Sequence, residues 1–188
     1  MNDFRSDFPE IYAAYWPKIA RYLIRMVGDS EAEDLTQEVF IKVGQAMPGF
    51  RGESSLSTWL YRIATNAAFD RLRSPSFQNQ QVDHPIEEEG DERDACFWEN
   101  QPPLEQQLVK HEMGACILDY LARLPENYRS VLVLSDMEEL SNGEIAEILG
   151  VTLGTVKIRL HRARACLREE LETHCEYYWV SELSWRLA

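Results

Sequence analysis

Apolar residues recur along this chain at intervals of three and four, the period of a helix that buries one side. Phe8, Ile11, Tyr12, Tyr15, Ile19, Tyr22, Leu23 and Met26 form the first such stripe. Asp7 and Glu10 predict its N-terminal cap, Pro9 suits the first turn, and Gly28 ends it. Ser30-Glu31-Ala32-Glu33 has the form of a capping box and opens a second helix. Its inward residues are Leu35, Val39, Val43 and Ala46, broadened by Phe40 and Met47, and Pro48-Gly49 stops it. After a loop from Phe50 to Ser55, the residues Leu56, Leu60, Ile63 and Ala67 predict a third helix from about Ser57 to Arg73. Trp59 and Ala64 lie beside that face, and Ser74-Pro75 closes the helix.

From Ser76 to Pro103 the periodicity vanishes. Charge explains why. The net charge is −13, but residues 1–81 contribute −1 (9 basic, 10 acidic), residues 82–112 contribute −8 (2 and 10) and residues 113–188 contribute −4 (8 and 12). The excess acid is therefore concentrated in a segment with Pro85, Gly90 and Pro102-Pro103, the composition of a solvated, self-repelling linker. The pattern predicts an all-α chain of two small helical domains joined by a flexible acidic linker. The expected bounds are 1–75, linker 76–103, second domain 104–172 and a tail over 173–188.

Periodicity resumes near Leu104 with Leu108, Ala115, Leu118, Leu121 and Ala122, in a helix that ends before Pro125. A further helix carries Tyr128, Val131, Leu132 and Leu134. Ser141-Asn142-Gly143-Glu144 makes a second capping box, opening a short helix that Gly150 closes, and a last helix runs from about Thr155 to Glu172. Short helix, glycine turn and second helix make a helix-turn-helix over about Asn142 to His161. Ile145, Ala146 and Leu149 face Val156 and Leu160, and small Ala146 lets the helices cross closely. Between Thr155 and Arg168 stand Lys157, Arg159, Arg162, Arg164 and Arg168, with His161 and no acid. What governs DNA binding is this local field, not the total charge. Thr155, Lys157, Ile158 and His161 are placed to reach base edges or the nearest phosphates, and Arg159, Arg162 and Arg164 to meet phosphates.

The first domain has two polar surfaces. Glu33, Asp34, Gln37 and Glu38 share the solvent face opposite Leu35 and Val39. By spacing alone this is a solvated helix with a Glu38–Lys42 pair, although such a face can also dock a basic partner helix. The loop at Phe50 and Arg51, with an exposed side of the third helix (Thr58, Arg62, Thr65, Asn66, Phe69, Arg73), suits single-stranded DNA. There arginines meet phosphates, amide and hydroxyls read base edges, and an apolar wall holds an unstacked base. Trp59 reads as core, and Asp70 as a structural partner of Arg71 or Arg73.

Three stretches of the second domain are similar to the C-terminal domain of the extracytoplasmic-function (ECF) sigma factors. They are Leu124-Pro125-Glu126-Asn127-Tyr128-Arg129, Ser141 through Gly150, and Gly154 through Arg164. Glu33-Asp34-Leu35-Thr36-Gln37-Glu38-Val39-Phe40-Ile41-Lys42-Val43 resembles the segment by which that family grips the β′ coiled coil of RNA polymerase. Phe50 through Arg73 resembles its −10-reading loop and helix. The resemblance implies that Glu33, Asp34, Gln37, Glu38 and Lys42 bind core polymerase. It implies that Phe50, Arg51, Arg62, Thr65, Asn66, Phe69 and Arg73 meet the melted −10 strand, with the loop capturing a flipped base. Thr155, Lys157, Ile158, Arg159, His161, Arg162 and Arg164 then meet the −35 element.

The implied partners are core polymerase through its β′ coiled coil and β flap, promoter DNA, and an anti-sigma factor, the chain being monomeric when free. Thr152 stands where the family often has proline or serine, and can cap the following helix. Ile158 replaces a common serine, and can touch a thymine methyl or pack against its own domain. In the tail, Tyr177, Val180, Leu183 and Leu187 follow a helical period, suited to packing on the second domain or to an inhibitor.

Other classes fit less well. A sigma-mimicking decoy that binds an anti-sigma factor would not need the basic residues of the last helix. A repressor would not need the pattern from Asp34 to Lys42. An enzyme would need a nucleophile with a base, a phosphate loop or a metal cluster, and the sequence offers no catalytic residues, cofactor motif or metal site. Cys96, Cys116, Cys166 and Cys175 lie far apart, as free thiols would. No apolar run approaches the roughly 20 residues of a membrane span, and the first residues do not form a signal peptide, so a cytoplasmic location is expected.

Overall fold

The computed structural model describes residues 8–78 and 111–174. The expected cap at Asp7, the acidic linker beyond Gln78, the expected helix start from Leu104 through Leu108 and the tail beyond His174 lie outside the described residues, while Phe77, expected in the linker, is buried in a helical turn. Every element among the described residues is helical, as the three-and-four spacing predicts.

In the first domain, α1 (Phe8–Val27) and α2 (Asp29–Ala46) pack side by side, and α3 (Leu56–Leu72) crosses both. Ile19, Tyr22, Leu23 and Met26 of α1 meet Leu35, Val39 and Val43 of α2 and Leu60 of α3 in one apolar core. Pro17 stands inside α1 on its exposed side, where water can take the Ala13 carbonyl that a proline nitrogen cannot bond. The expected Ser30 capping box does not form. Gly28, at φ 89, turns the chain in the left-handed region that glycine tolerates, so α2 starts at Asp29, ahead of Ser30. Ser55 caps α3 through the Thr58 amide at 3.0 Å. A single turn, α4 (Pro75–Gln78), follows, and its Phe77 is buried.

The second domain contains α5 (His111–Arg123) and α6 (Glu126–Leu132), the latter widening into a π-type turn over Val133–Met137. After it come α7 (Asn142–Leu149) and α8 (Leu153–His174). Both predicted devices of its turn are present. Ser141 and Glu144 form the reciprocal capping box, and Gly150 closes α7 in the left-handed conformation at φ 66. Thr152 caps α8 through the Thr155 amide at 3.1 Å. Cys166 is buried and disulfide-bonded, which corrects the expectation of free thiols.

The two domains touch. Helix α3 packs against α7, and α1 against α5 and the turn after α6. This joint is polar and partly buried, and it decides which parts of the candidate site stay open.

Candidate nucleic-acid interface

On α2 the side chains of Glu33, Asp34, Gln37, Glu38 and Lys42 are all exposed, on the face opposite buried Leu35, Val39 and Val43. Glu38 takes Arg71 of α3 at 3.2 Å, and Glu31 takes the same guanidinium at 2.8 Å. The expected partnership of Asp70 with Arg71 or Arg73 is therefore replaced, because both arginines reach carboxylates on other helices. Ile41 is 61% exposed beside this acidic face.

The residues predicted for the −10 strand divide into two groups. Asn66 and Arg51 are exposed, and Phe69 and Arg62 are half-buried. Phe50 stacks on Trp59 with ring centroids 4.9 Å apart, so Trp59, half-buried against the core, also walls the loop. Thr58 and Thr65, expected on the exposed side of α3, are instead 1% exposed. The Thr65 hydroxyl donates to the Tyr61 carbonyl at 2.7 Å and pairs with the Tyr22 hydroxyl at 2.8 Å. Burial raises the Tyr22 pKa, so that hydroxyl stays protonated. The correction comes from packing within the first domain, where Tyr22 of α1 lies against Tyr61 and Thr65. Thr58, Tyr61, Thr65, Ala68 and Leu72 form a second stripe on α3, buried like the first. Arg73 is drawn to Glu126 of the second domain, its Nε donating at 3.0 Å, and its guanidinium lies over the Phe69 ring.

On α8 the predicted surface is largely open. Lys157, His161 and Arg164 are exposed, Thr155, Arg159 and Arg162 are half-buried, and Ile158 is 54% exposed. That exposure removes the packing alternative for Ile158. Buried Val156, Leu160 and Ala163 hold the helix against its domain and fix the direction of the basic face. A groove of about 390 Å³ runs along it, lined by Asn142, Lys157, His161, Arg164 and Arg168 among others. Arg164 is held by Asp136 at 2.6 Å and 3.1 Å. That hydrogen bonding raises its pKa and commits the side chain to the turn after α6.

Sequence reading missed the polar joint itself. Glu138 is buried, its carboxylate accepting from Arg25 Nη1 at 2.7 Å and from the Tyr61 hydroxyl at 2.5 Å, with Arg21 at 3.6 Å. Burial lowers the Arg25 pKa, and the facing Glu138 charge opposes that loss. Arg129 lies inside the second domain, where burial takes its pKa down to about 10, still a cation at neutral pH. It donates to the carbonyls of Ala122, Leu124 and, across the joint, Met26. Among the described residues no cluster of His, Cys, Asp and Glu could hold a metal, and no helix is long and apolar enough to cross a membrane.

Known families match the two domains in the same order. Residues 11–77 match sigma-70 region 2, and residues 114–167 match sigma-70 region 4. The ECF RNA polymerase sigma factor SigW of Bacillus subtilis is 37% identical over 173 residues, covering 89% of this chain and 90% of that relative. The chain belongs to the ECF sigma factors. The RNA polymerase sigma-H factor of Pseudomonas aeruginosa is 35% identical to this sigma factor over 175 residues, with 89% and 88% covered. The sigma factor RpoE of Bartonella quintana, solved in complex with the anti-sigma factor NepR, shares the fold with a TM-score of 0.65. It is 24% identical and covers 88% of this chain and 97% of that one.

Proposed function

We propose that this ECF sigma factor directs RNA polymerase to promoters through three surfaces, two on the first domain and one on the second. The polar face of α2 (Glu33, Asp34, Gln37, Glu38, Lys42) docks the β′ coiled coil of core polymerase. Its exposed carboxylates and amide supply on-rate and register to a basic partner helix, with exposed Ile41 beside them. The loop from Phe50 and Arg51, backed by Trp59, receives an unstacked −10 base. Arg62, Asn66, Phe69 and Arg73 follow the melted strand by phosphate contact and stacking. Buried Thr65 sets the position of α3 and touches no base.

Helix α8 enters the major groove of the −35 duplex. Thr155, Lys157, Ile158 and His161 face the bases, with Ile158 against a thymine methyl, and Arg159 and Arg162 meet phosphates. Arg164, tied to Asp136, keeps the helix seated on its domain. The second domain also meets the β flap, an anti-sigma factor restrains the chain in the cytoplasm, and the free protein is a monomer. The chain performs binding and DNA opening, with no chemistry of its own.

One observation carries this reading: a single chain holds an exposed acidic docking face on α2 and an exposed basic reading face on α8, in the order of regions 2 and 4. Run-off transcription with purified core polymerase tests it. Promoter-specific transcript is expected only when the chain is added, and its absence would leave a decoy or a repressor as the better account.

A further inference from the structure

The basic face of α8 is held from behind. Val156, Leu160, Ala163, Cys166 and Leu167 are buried, while Lys157, His161, Arg164 and Arg168 line the groove on the outer side. Within the buried set Cys166 is the reactive residue. It is disulfide-bonded at 2% exposure, two residues before Arg168. A disulfide is unusual in the reducing cytoplasm where the proposed function places the chain, and one that forms there is usually transient and redox-sensing. The sequence offers three partners, Cys96, Cys116 and Cys175. Helix α8 continues to His174, a rise of about 12 Å beyond Cys166, so the next residue cannot return to within the roughly 7 Å between Cα atoms that a disulfide spans. Cys116 belongs to α5, which packs against α8, and its register, four residues before buried Tyr120, is the inward one. We propose that Cys116 and Cys166 form a redox-operated staple between α5 and α8, and that the linked form holds the groove ready for duplex DNA. This rests on the reading of α8 as the −35 helix.

The staple sits where the other restraints on α8 run out. Thr152 caps its first turn, and Asp136 ties Arg164 at 2.6 Å. Asp136 belongs to the turn over Val133–Met137, which leaves through Glu139 at φ 55, the left-handed region that a residue with a side chain rarely adopts. Arg164 is thus anchored to a defined piece of backbone. Behind the far half of the groove two of the buried side chains are small, Ala163 and Cys166, with Leu167 beside them. Burial of so little apolar area holds the helix weakly, and a covalent link to α5 holds it more firmly. Arg168 stands at this end, so its backbone is fixed in the linked chain and less so in the reduced one. Cations already in place lose less freedom when they meet phosphates.

Closing the staple oxidises two protein thiols and reduces one small-molecule disulfide. The first protein thiolate displaces one sulfur of the oxidant and leaves a mixed disulfide. The second attacks the protein sulfur of that bond and displaces the other half. Two small thiols depart, carrying the two protons that the protein gave up. A dithiol reductant runs the same exchange in reverse.

The test uses the full chain, held in oxidised glutathione or in dithiothreitol. Peptide mapping by mass spectrometry reads the pairing, and amide hydrogen exchange reads the mobility of α8. Fluorescence anisotropy reads binding of a labelled mixed-sequence duplex. The oxidised chain is expected to yield a Cys116–Cys166 linked peptide and slower exchange from Leu160 to Arg168. It should also bind the duplex about threefold more tightly than the reduced chain, as the competent fraction grows. Cys116→Ser is expected to erase these differences between the two conditions, and should that variant fail to fold, the two states of the wild-type chain decide. Cys166 linked to Cys96 or Cys175 overturns the pairing, and a bond that dithiothreitol leaves intact in the folded chain overturns the switch. Equal exchange in both states overturns the staple. Slower exchange with equal duplex affinity overturns its bearing on the groove. Absence of duplex binding in both states counts against α8 as the −35 helix instead, and mapping and exchange then judge the staple by themselves.

Discussion

Helix α8 presents Lys157, Ile158 and His161 to solvent, while α3 turns Thr58 and Thr65 inward and gives Arg73 to Glu126. Both helices carry residues suited to nucleic acid, yet one surface is ready in the closed chain and the other is partly used to hold the chain together. The difference follows from what lies behind each. Helix α8 buries its apolar stripe within its own domain and turns Lys157, Ile158 and His161 of its outer face to solvent, while Asp136 retains Arg164. Helix α3 buries Tyr61 and Thr65 against Tyr22 of α1 and also packs on α7 of the second domain, so its polar residues are shared between folding and recognition. A polar residue on a helix face is thus free for a ligand only when neither its own domain nor a second one claims it.

The sharpest way to break this contrast is at Arg129. Arg129→Ala strips a donor from the carbonyls of Ala122, Leu124 and Met26, and should lower the stability measured by urea unfolding by about 3 kcal/mol or more. Next comes Thr65→Val, which keeps the shape and removes the partner of the buried Tyr22 hydroxyl. A loss of about 1–3 kcal/mol is expected, with single-stranded DNA affinity unchanged once the protein is folded. A pure loss of DNA affinity with full stability would return Thr65 to the reading surface.

Ser141→Ala tests the support of α8 without touching it. Loss of the capping box should cost about 1 kcal/mol in thermal or urea unfolding. Hydrogen bonding to Ser141 holds the Glu144 carboxyl below its usual pKa. The Glu144 contribution is therefore present above its unfolded pKa and fades as pH falls through the lower folded one. The gap between wild type and Ser141→Ala should narrow over that acid range. The smallest structural effect belongs to Lys157→Ala on the open face of α8. Stability should not move, while the salt dependence of promoter binding becomes shallower by about one unit of slope if the lysine meets a phosphate.

What could be read from the sequence alone was whatever depends on near neighbours. The Ser141–Glu144 box, the left-handed Gly150, the Thr152 cap and the polar face of α2 are each decided within a turn or two of helix. Thr65, Arg129 and Glu138 were out of reach because their partners lie 43, 103 and 113 residues away. Periodicity shows that a residue faces inward toward its own core, but it carries no sign of a second body approaching the other side. The Ser30 box failed for a different reason. Its motif is sound, but Gly28 allowed the helix to begin before the motif could act.

Glu139 has a practical consequence. A left-handed backbone at a residue with a side chain is held at a cost of about 1–2 kcal/mol, which glycine would largely relieve. Installing glycine there should ease the local tension yet widen the range of shapes open to the segment. Protein engineers seeking a sturdier version of this chain could then gain melting temperature and lose aim in the same substitution.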